Sequence, residues 1–108
     1  MKGPKLIVFV TCANRREAAK IARAVVEARL AACANILPGR LHSIYRWKGR
    51  VESARETMMI LKTSRRRFDA LRRKIERLHS YNTPEIIALS ITIGARKYLA
   101  WIEDSLHA

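Results

Sequence analysis

The sequence is short of glycine, cysteine, aromatic residues and acidic charge, and each shortage removes a class of function. Its four glycines stand singly along 108 residues, so no glycine-rich loop is present to cradle a phosphate. Two cysteines, Cys12 and Cys33, supply neither the density of a disulfide scaffold nor the close pairs of a zinc motif. The expected compartment is therefore a reducing cytoplasm. No apolar run approaches the roughly 20 residues that span a bilayer, and Met1-Lys2-Gly3-Pro4-Lys5 leads into strand-like sequence instead of a signal segment. A soluble protein with no membrane partner is expected. Aromatics make up 6% of the chain, with Phe9 alone in the first strand-like run and none in Met58 to Leu61. An RNA-binding sheet stacks bases on aromatics of its central strands, so specific nucleic acid is not an expected partner.

The shortage of acidic residues leaves nine against 22 Lys and Arg, a formal charge of +13. A basic nucleic-acid-binding protein is one reading of that excess. The distribution favours another: Arg15, Arg16, Lys20, Arg23 and Arg29 fall in one segment and Arg65, Arg66, Arg67, Arg72, Arg73, Lys74 and Arg77 in a second, as on solvated helix faces. At 49% hydrophobic composition, residues 1–108 suit a single domain with one core.

What is present reads as a regular order of elements. Lys5 to Cys12 is a β-branched run with the look of a strand buried on both faces. Asn14 is a good N-cap with Glu17 in capping-box position, and Ala18, Ile21, Ala22, Val25 and Val26 make one stripe of a helix from Arg15 to Leu30. Ala31 to Leu37 is extended again, Pro38-Gly39 bends it, and Leu41 to Trp47 alternates with the period of a strand. Lys48-Gly49 is the reversal, and the chain returns from Arg50 to Thr63. Such a hairpin, with arms about twice the usual strand length, overhangs a domain of this size and exposes Tyr45 and Trp47, which calls for a covering copy of the chain. Ser64 caps a second helix with Phe68, Leu71, Ile75 and Leu78 on one face. A strand from Glu85 to Ile93 follows, and a short helix presents Tyr98, Trp101, Ile102 and Ser105 on one side. The fold class is α+β: a split βαβ arrangement, with an antiparallel four-stranded sheet and both main helices on one face.

Pro84 pushes Thr83 into extended backbone and delivers Glu85 to the strand, with His79 six positions earlier at the end of the second helix. An imidazole and a carboxylate at the ends of a stiff loop either share a cation, trade a proton or simply face water. In this sheet the first and last strands are neighbours, so Cys12, His79 and Glu85 form a candidate metal set of thiolate, imidazole and carboxylate, suited to copper. Cys12 is the only attractive nucleophile, yet it lacks an adjacent base and reads as a small buried hydrophobe. No catalytic residue is expected.

Five separated signatures resemble the CutA family of divalent-cation tolerance proteins: Thr11-Cys12, the stretch from Ala24 through Cys33 to Ile36, Ser43 to Gly49, Ile60 to Thr63, and His79 to Glu85. Tyr98 to Ile102 fits as well. The resemblance implies a ferredoxin-like protomer in a homotrimer, with Tyr45, Trp47 and Trp101 at the interface and clefts between subunits near Tyr45, Trp47, Lys62 and Tyr81. It also implies a divalent metal ion, copper or another, held by Cys12, His79 and Glu85, a role in the response to metal ions, and no enzyme activity. A trimer resembling the PII signalling proteins, with a small ligand between subunits and incidental metal affinity, is the alternative. Ser80 stands where the family pattern has proline, so the loop is expected to be less rigid around His79 and Tyr81.

Overall fold

Alternation decides how the first strand is used. In the computed structural model, which describes residues 3–107 and so leaves the reading of Met1 and Lys2 outside the described residues, β1 runs Lys5–Cys12. Leu6, Val8, Val10 and Cys12 are buried, whereas Ile7 and Phe9 on the opposite face are only partly covered. The expectation of burial on both faces is corrected: within the protomer, the helices cover one side.

Asn14 accepts the Glu17 N–H at 2.8 Å, and Glu17 reaches back to accept the Ala13 N–H at 3.0 Å, which starts α1 over Arg15–Glu27. The helix stops short of the expected Leu30. Arg29 takes a φ of 60°, and the Leu30 and Arg29 N–H groups bond to the carbonyls of Val25 and Val26, closing the last turn in a Schellman motif. Ser64 accepts the Arg67 N–H at 3.3 Å and opens α2, Arg65–Leu78. Ile21 and Val25 of α1 and Leu71 and Ile75 of α2 are fully buried on the sheet, each worth about 1.5–3 kcal/mol by area.

The expected first arm of the hairpin is two strands, β2 (Cys33–Ile36) and β3 (Leu41–Trp47), because Pro38 cannot donate to a ladder and Gly39 takes a φ of 82°. Both pair antiparallel with β4 (Arg50–Ser64), a continuous strand of 15 residues. Lys48 and Gly49, with φ of 52° and 79°, make the two-residue reversal. The second half of β4, Thr57 to Ser64, pairs with β1, while Arg50 to Glu56 pairs with β3 in a ribbon that overhangs the body. The protomer is accordingly 44 Å long and 25 Å wide.

β5 occupies Ile86–Ser90, antiparallel to β1. It is shorter than expected because its pairing runs from Ile86 opposite Val10 to Ser90 opposite Leu6, and β1 begins just after Pro4. The order β2-β4-β1-β5, with β3 continuing along β4, is the split βαβ topology. The last helix, α3 (Arg96–Ser105), buries Ile102, followed by Leu106, against Ala32. Tyr98 and Trp101 are half exposed and lean on each other with ring centres 5.5 Å apart. A buried ion pair ties α3 to β1: Lys5 Nζ lies 2.8 Å from Glu103 Oε1, and Arg66 and His107 reach Oε2 at 3.1 and 2.6 Å. The hydrogen bond from Lys5 leads these contacts in holding the Glu103 carboxyl down to about 2.

Candidate functional site

The antiparallel run of β4 along β1 starts α2 beside Pro4, where the Arg65 N–H bonds to the Pro4 carbonyl at 3.0 Å. The helix then travels the length of β1 and delivers its C-cap residue to the Cys12 end. His79 is that residue, its own N–H bonded to the Ile75 carbonyl at 2.9 Å. The side chain is wholly buried. Nε2 lies 2.8 Å from the Thr11 carbonyl, which can only accept, so Nε2 carries the proton. Nδ1 accepts the Tyr81 N–H at 3.1 Å. Both ring nitrogens are thus committed to the main chain on either side.

Cys12, Glu17 and His79 each present a ligand-type atom within 4.8 Å of the others. Sequence placed Cys12 and His79 together; Glu17 takes the place expected of Glu85. Its two oxygens accept main-chain N–H groups, Oε1 from Ala13 and Oε2 from Ser80 at 2.7 Å. Burial alone would raise the Glu17 carboxyl, but the hydrogen bonds from Ala13 and Ser80 outweigh it and hold the pKa below its ordinary value. Burial, with the nearby charges of Glu17 and Glu56, pushes the Cys12 thiol up to about 12. As arranged, the trio does not fit a metal ion. The imidazole lone pair is used, both carboxylate oxygens are bonded, and the thiol keeps its proton near neutral pH. It is a knot tying the end of β1, the first turn of α1 and the end of α2.

Ser80 tightens that knot. Its N–H, which a proline would lack, makes the 2.7 Å bond to Glu17. The expected loosening of the loop is therefore offset by a contact that only a non-proline residue can supply.

Beyond the knot, the loop from Tyr81 to Glu85 faces the hairpin ribbon across a cleft of about 740 Å³. Tyr45 and Trp47 form the ribbon side, a little over 40% exposed, with Pro84 opposite. Glu85 lines the cleft, as does Glu56, which is 7% exposed and accepts the Tyr81 hydroxyl at 2.7 Å. Burial and that carboxylate both raise the Tyr81 phenol. Among the described residues the lining includes no Lys or Arg, although it holds two of the chain's nine acidic residues. Lys62, expected near a cleft between subunits, is not in the lining of this cleft within the chain and donates to Asn35 of β2. Trp101 lies on α3 and is not part of the lining. The sequence reading missed Glu17 as a neighbour of His79 and Glu56 as a cleft residue. The capping box beside Cys12 was the available signal for the first; nothing local singled out the second.

Comparison with known proteins agrees with this architecture. The family profile described as CutA1 divalent ion tolerance protein matches residues 6–105. The chain is 42% identical over 102 residues to the chloroplastic protein CutA of Arabidopsis thaliana, covering 94% of itself and 56% of that relative, so it spans little more than half of that protein. With the divalent-cation tolerance protein CutA of Thermus thermophilus it shares 44% identity over 99 residues, 92% of this chain and 95% of that one. The solved structure of the periplasmic divalent cation tolerance protein CutA from Archaeoglobus fulgidus superposes with a TM-score of 0.91 at 35% identity, covering 95% and 99% of the two chains.

Proposed function

Because the chain belongs to the CutA1 family of divalent ion tolerance proteins, we propose that it binds a divalent cation in the cleft between the hairpin ribbon and the Tyr81 to Glu85 loop, and serves metal tolerance by binding instead of by catalysis. The observation that carries this reading is the pair of carboxylates, Glu56 and Glu85, in a cleft whose described lining has no basic residue, within a chain of charge +13. Carboxylate oxygens with room for water suit zinc and harder divalent ions as well as copper. Two carboxylates leave coordination positions for water or for a second copy of the chain. The Cys12 thiol, raised to about 12, is a poor nucleophile, in keeping with a binding role.

The reading includes a homotrimer. The open face of the sheet supports it: Ile7 and Phe9 stand opposite Leu89 and Ile87 in register, and the last two are more than half exposed. Tyr45 and Trp47 on the overhanging ribbon are further candidates for contact between copies. A reducing cytoplasmic location belongs to the same reading, supported by two free cysteines.

Isothermal titration of metal-free protein with Zn²⁺ and Cu²⁺ tests the cation site beside Glu56→Gln and Glu85→Ala. Both variants are expected to bind more weakly; equal binding by all three proteins sinks the site. Light scattering gives the mass of the assembly, and Leu89→Lys is expected to lower it. A second reading, in the manner of PII trimers, is favoured by the cleft volume of about 740 Å³. That is the size of a small-molecule pocket, far larger than an ion requires. Native mass spectrometry of freshly purified protein separates the two by the mass of any retained ligand.

A further inference from the structure

The loop histidine invites assignment as a metal ligand, yet its hydrogen bonds describe another task. From the end of β1 the contacts run without a break: His79 Nε2–H donates to the Thr11 carbonyl, His79 Nδ1 accepts the Tyr81 N–H, and the Tyr81 hydroxyl donates to Glu56 Oε2, at 2.8, 3.1 and 2.7 Å. The ring of His79 also lies against that of Tyr81, with centroids 4.7 Å apart. Glu17 anchors the same turn from outside through the Ser80 N–H.

We propose that His79 is a positioning residue for the cleft and not a ligand of its cation: it holds Tyr81, and Tyr81 fixes the carboxylate of Glu56 that faces the ligand. This inference rests on the cation reading of the cleft. Its physical basis is the absence of a spare lone pair. A ring whose donor and acceptor are both used by the main chain can reach a metal only by giving up the Tyr81 N–H, which would release the residue that orients Glu56. Ser80 adds a second tether one residue from the imidazole through its N–H to Glu17.

The direct test uses Zn²⁺ as the probe and ¹H–¹⁵N spectra of the imidazole ring as the readout, in protein carrying His42→Gln and His107→Gln so that one histidine remains. At saturating Zn²⁺ the ring is expected to keep its proton on Nε2 and show no zinc-induced shift at Nδ1. Affinity is measured alongside on three variants. Tyr81→Phe, which removes only the hydroxyl, and His79→Ala are each expected to weaken Zn²⁺ binding by about tenfold, the range for residues that support a ligand from behind. His79→Gln, whose amide offers both a donor and an acceptor, is expected to recover most of that loss. A zinc-shifted Nδ1, or equal losses for His79→Gln and His79→Ala in folded protein, overturns the inference while leaving the cation site standing. Failure of the wild-type cleft to bind Zn²⁺ at all overturns both.

Discussion

The outer layer of helices and the cleft behind the ribbon belong to one small chain, yet they carry opposite charge. α1 and α2 hold half of the 22 Lys and Arg residues, on mostly exposed positions such as Arg16, Arg23, Arg73 and Arg77. The cleft holds Glu56 and Glu85 and, among its described lining, no base. Net charge therefore says little about the site. At physiological salt the screening length is about 8 Å, so a cation in the cleft responds chiefly to the carboxylates beside it. Of the formal charge of +13, α1 and α2 carry a net +7, which describes what that layer repels or attracts in solution.

Removing the cleft's charge should break this contrast most strongly. The double variant Glu56→Gln with Glu85→Gln removes direct ligands and is expected to lower Zn²⁺ affinity beyond the roughly 10- to 100-fold typical of losing their supporting partners, with the helix content by circular dichroism unchanged. The Lys5–Glu103 pair provides the opposite case, a loss of stability without loss of affinity. Glu103→Gln leaves the Lys5 charge facing a neutral amide and is expected to cost roughly 3 kcal/mol in urea unfolding, while zinc titration stays as in the wild type. Because the Glu103 carboxyl sits near 2 when folded, below its unfolded value, its contribution is present above about pH 4.5 and is lost as pH falls toward 2. Acid unfolding of Glu103→Gln should accordingly be less steep across that window.

Smaller effects sharpen the comparison. Ser80→Pro removes the N–H that Glu17 accepts, a loss of about 1 kcal/mol partly offset by the stiffer unfolded chain. A net destabilisation under about 1 kcal/mol is expected from the urea midpoint. The smallest change belongs to the helical layer. Arg73→Gln with Arg77→Gln should alter zinc affinity by less than about twofold at physiological salt, since those charges are screened; a larger gain would show that the helices oppose cation binding at long range.

Much of the architecture was legible because local rules and tertiary packing agree. The Asn14 and Ser64 caps, the Lys48-Gly49 reversal and the Leu71 and Ile75 stripe are decided by neighbours in sequence. The site was less legible because its distances cross the sheet. His79 and Glu85 are six residues apart, yet the helix end turns His79 inward to Thr11 while Glu85 leaves the knot to line the cleft. Glu17 was read correctly as a cap residue, but its second oxygen meets Ser80, 63 positions away, only through the packing of α1 beside α2. Glu56 is one polar residue in a long strand, and only the approach of Tyr81 makes it special. The burial of β1 was overestimated because an apolar face left open within the chain and one covered by helices have the same sequence.

The continuity of β4 has a mechanical consequence. Glu56 lies on the same unbroken strand as Met59 and Leu61 at the centre of the core and next to the Cys12–Thr57 pair, so its backbone cannot shift without disturbing the central ladder. The opposing wall of the cleft is a short connection outside any ladder. One cleft carboxylate, Glu56, is thus anchored at the ladder, and the other, Glu85, is carried by a connection outside it. Ligand escape should be timed by the 82–85 segment, whose amides should exchange with solvent before those of β4 and before that of Tyr81, held by His79.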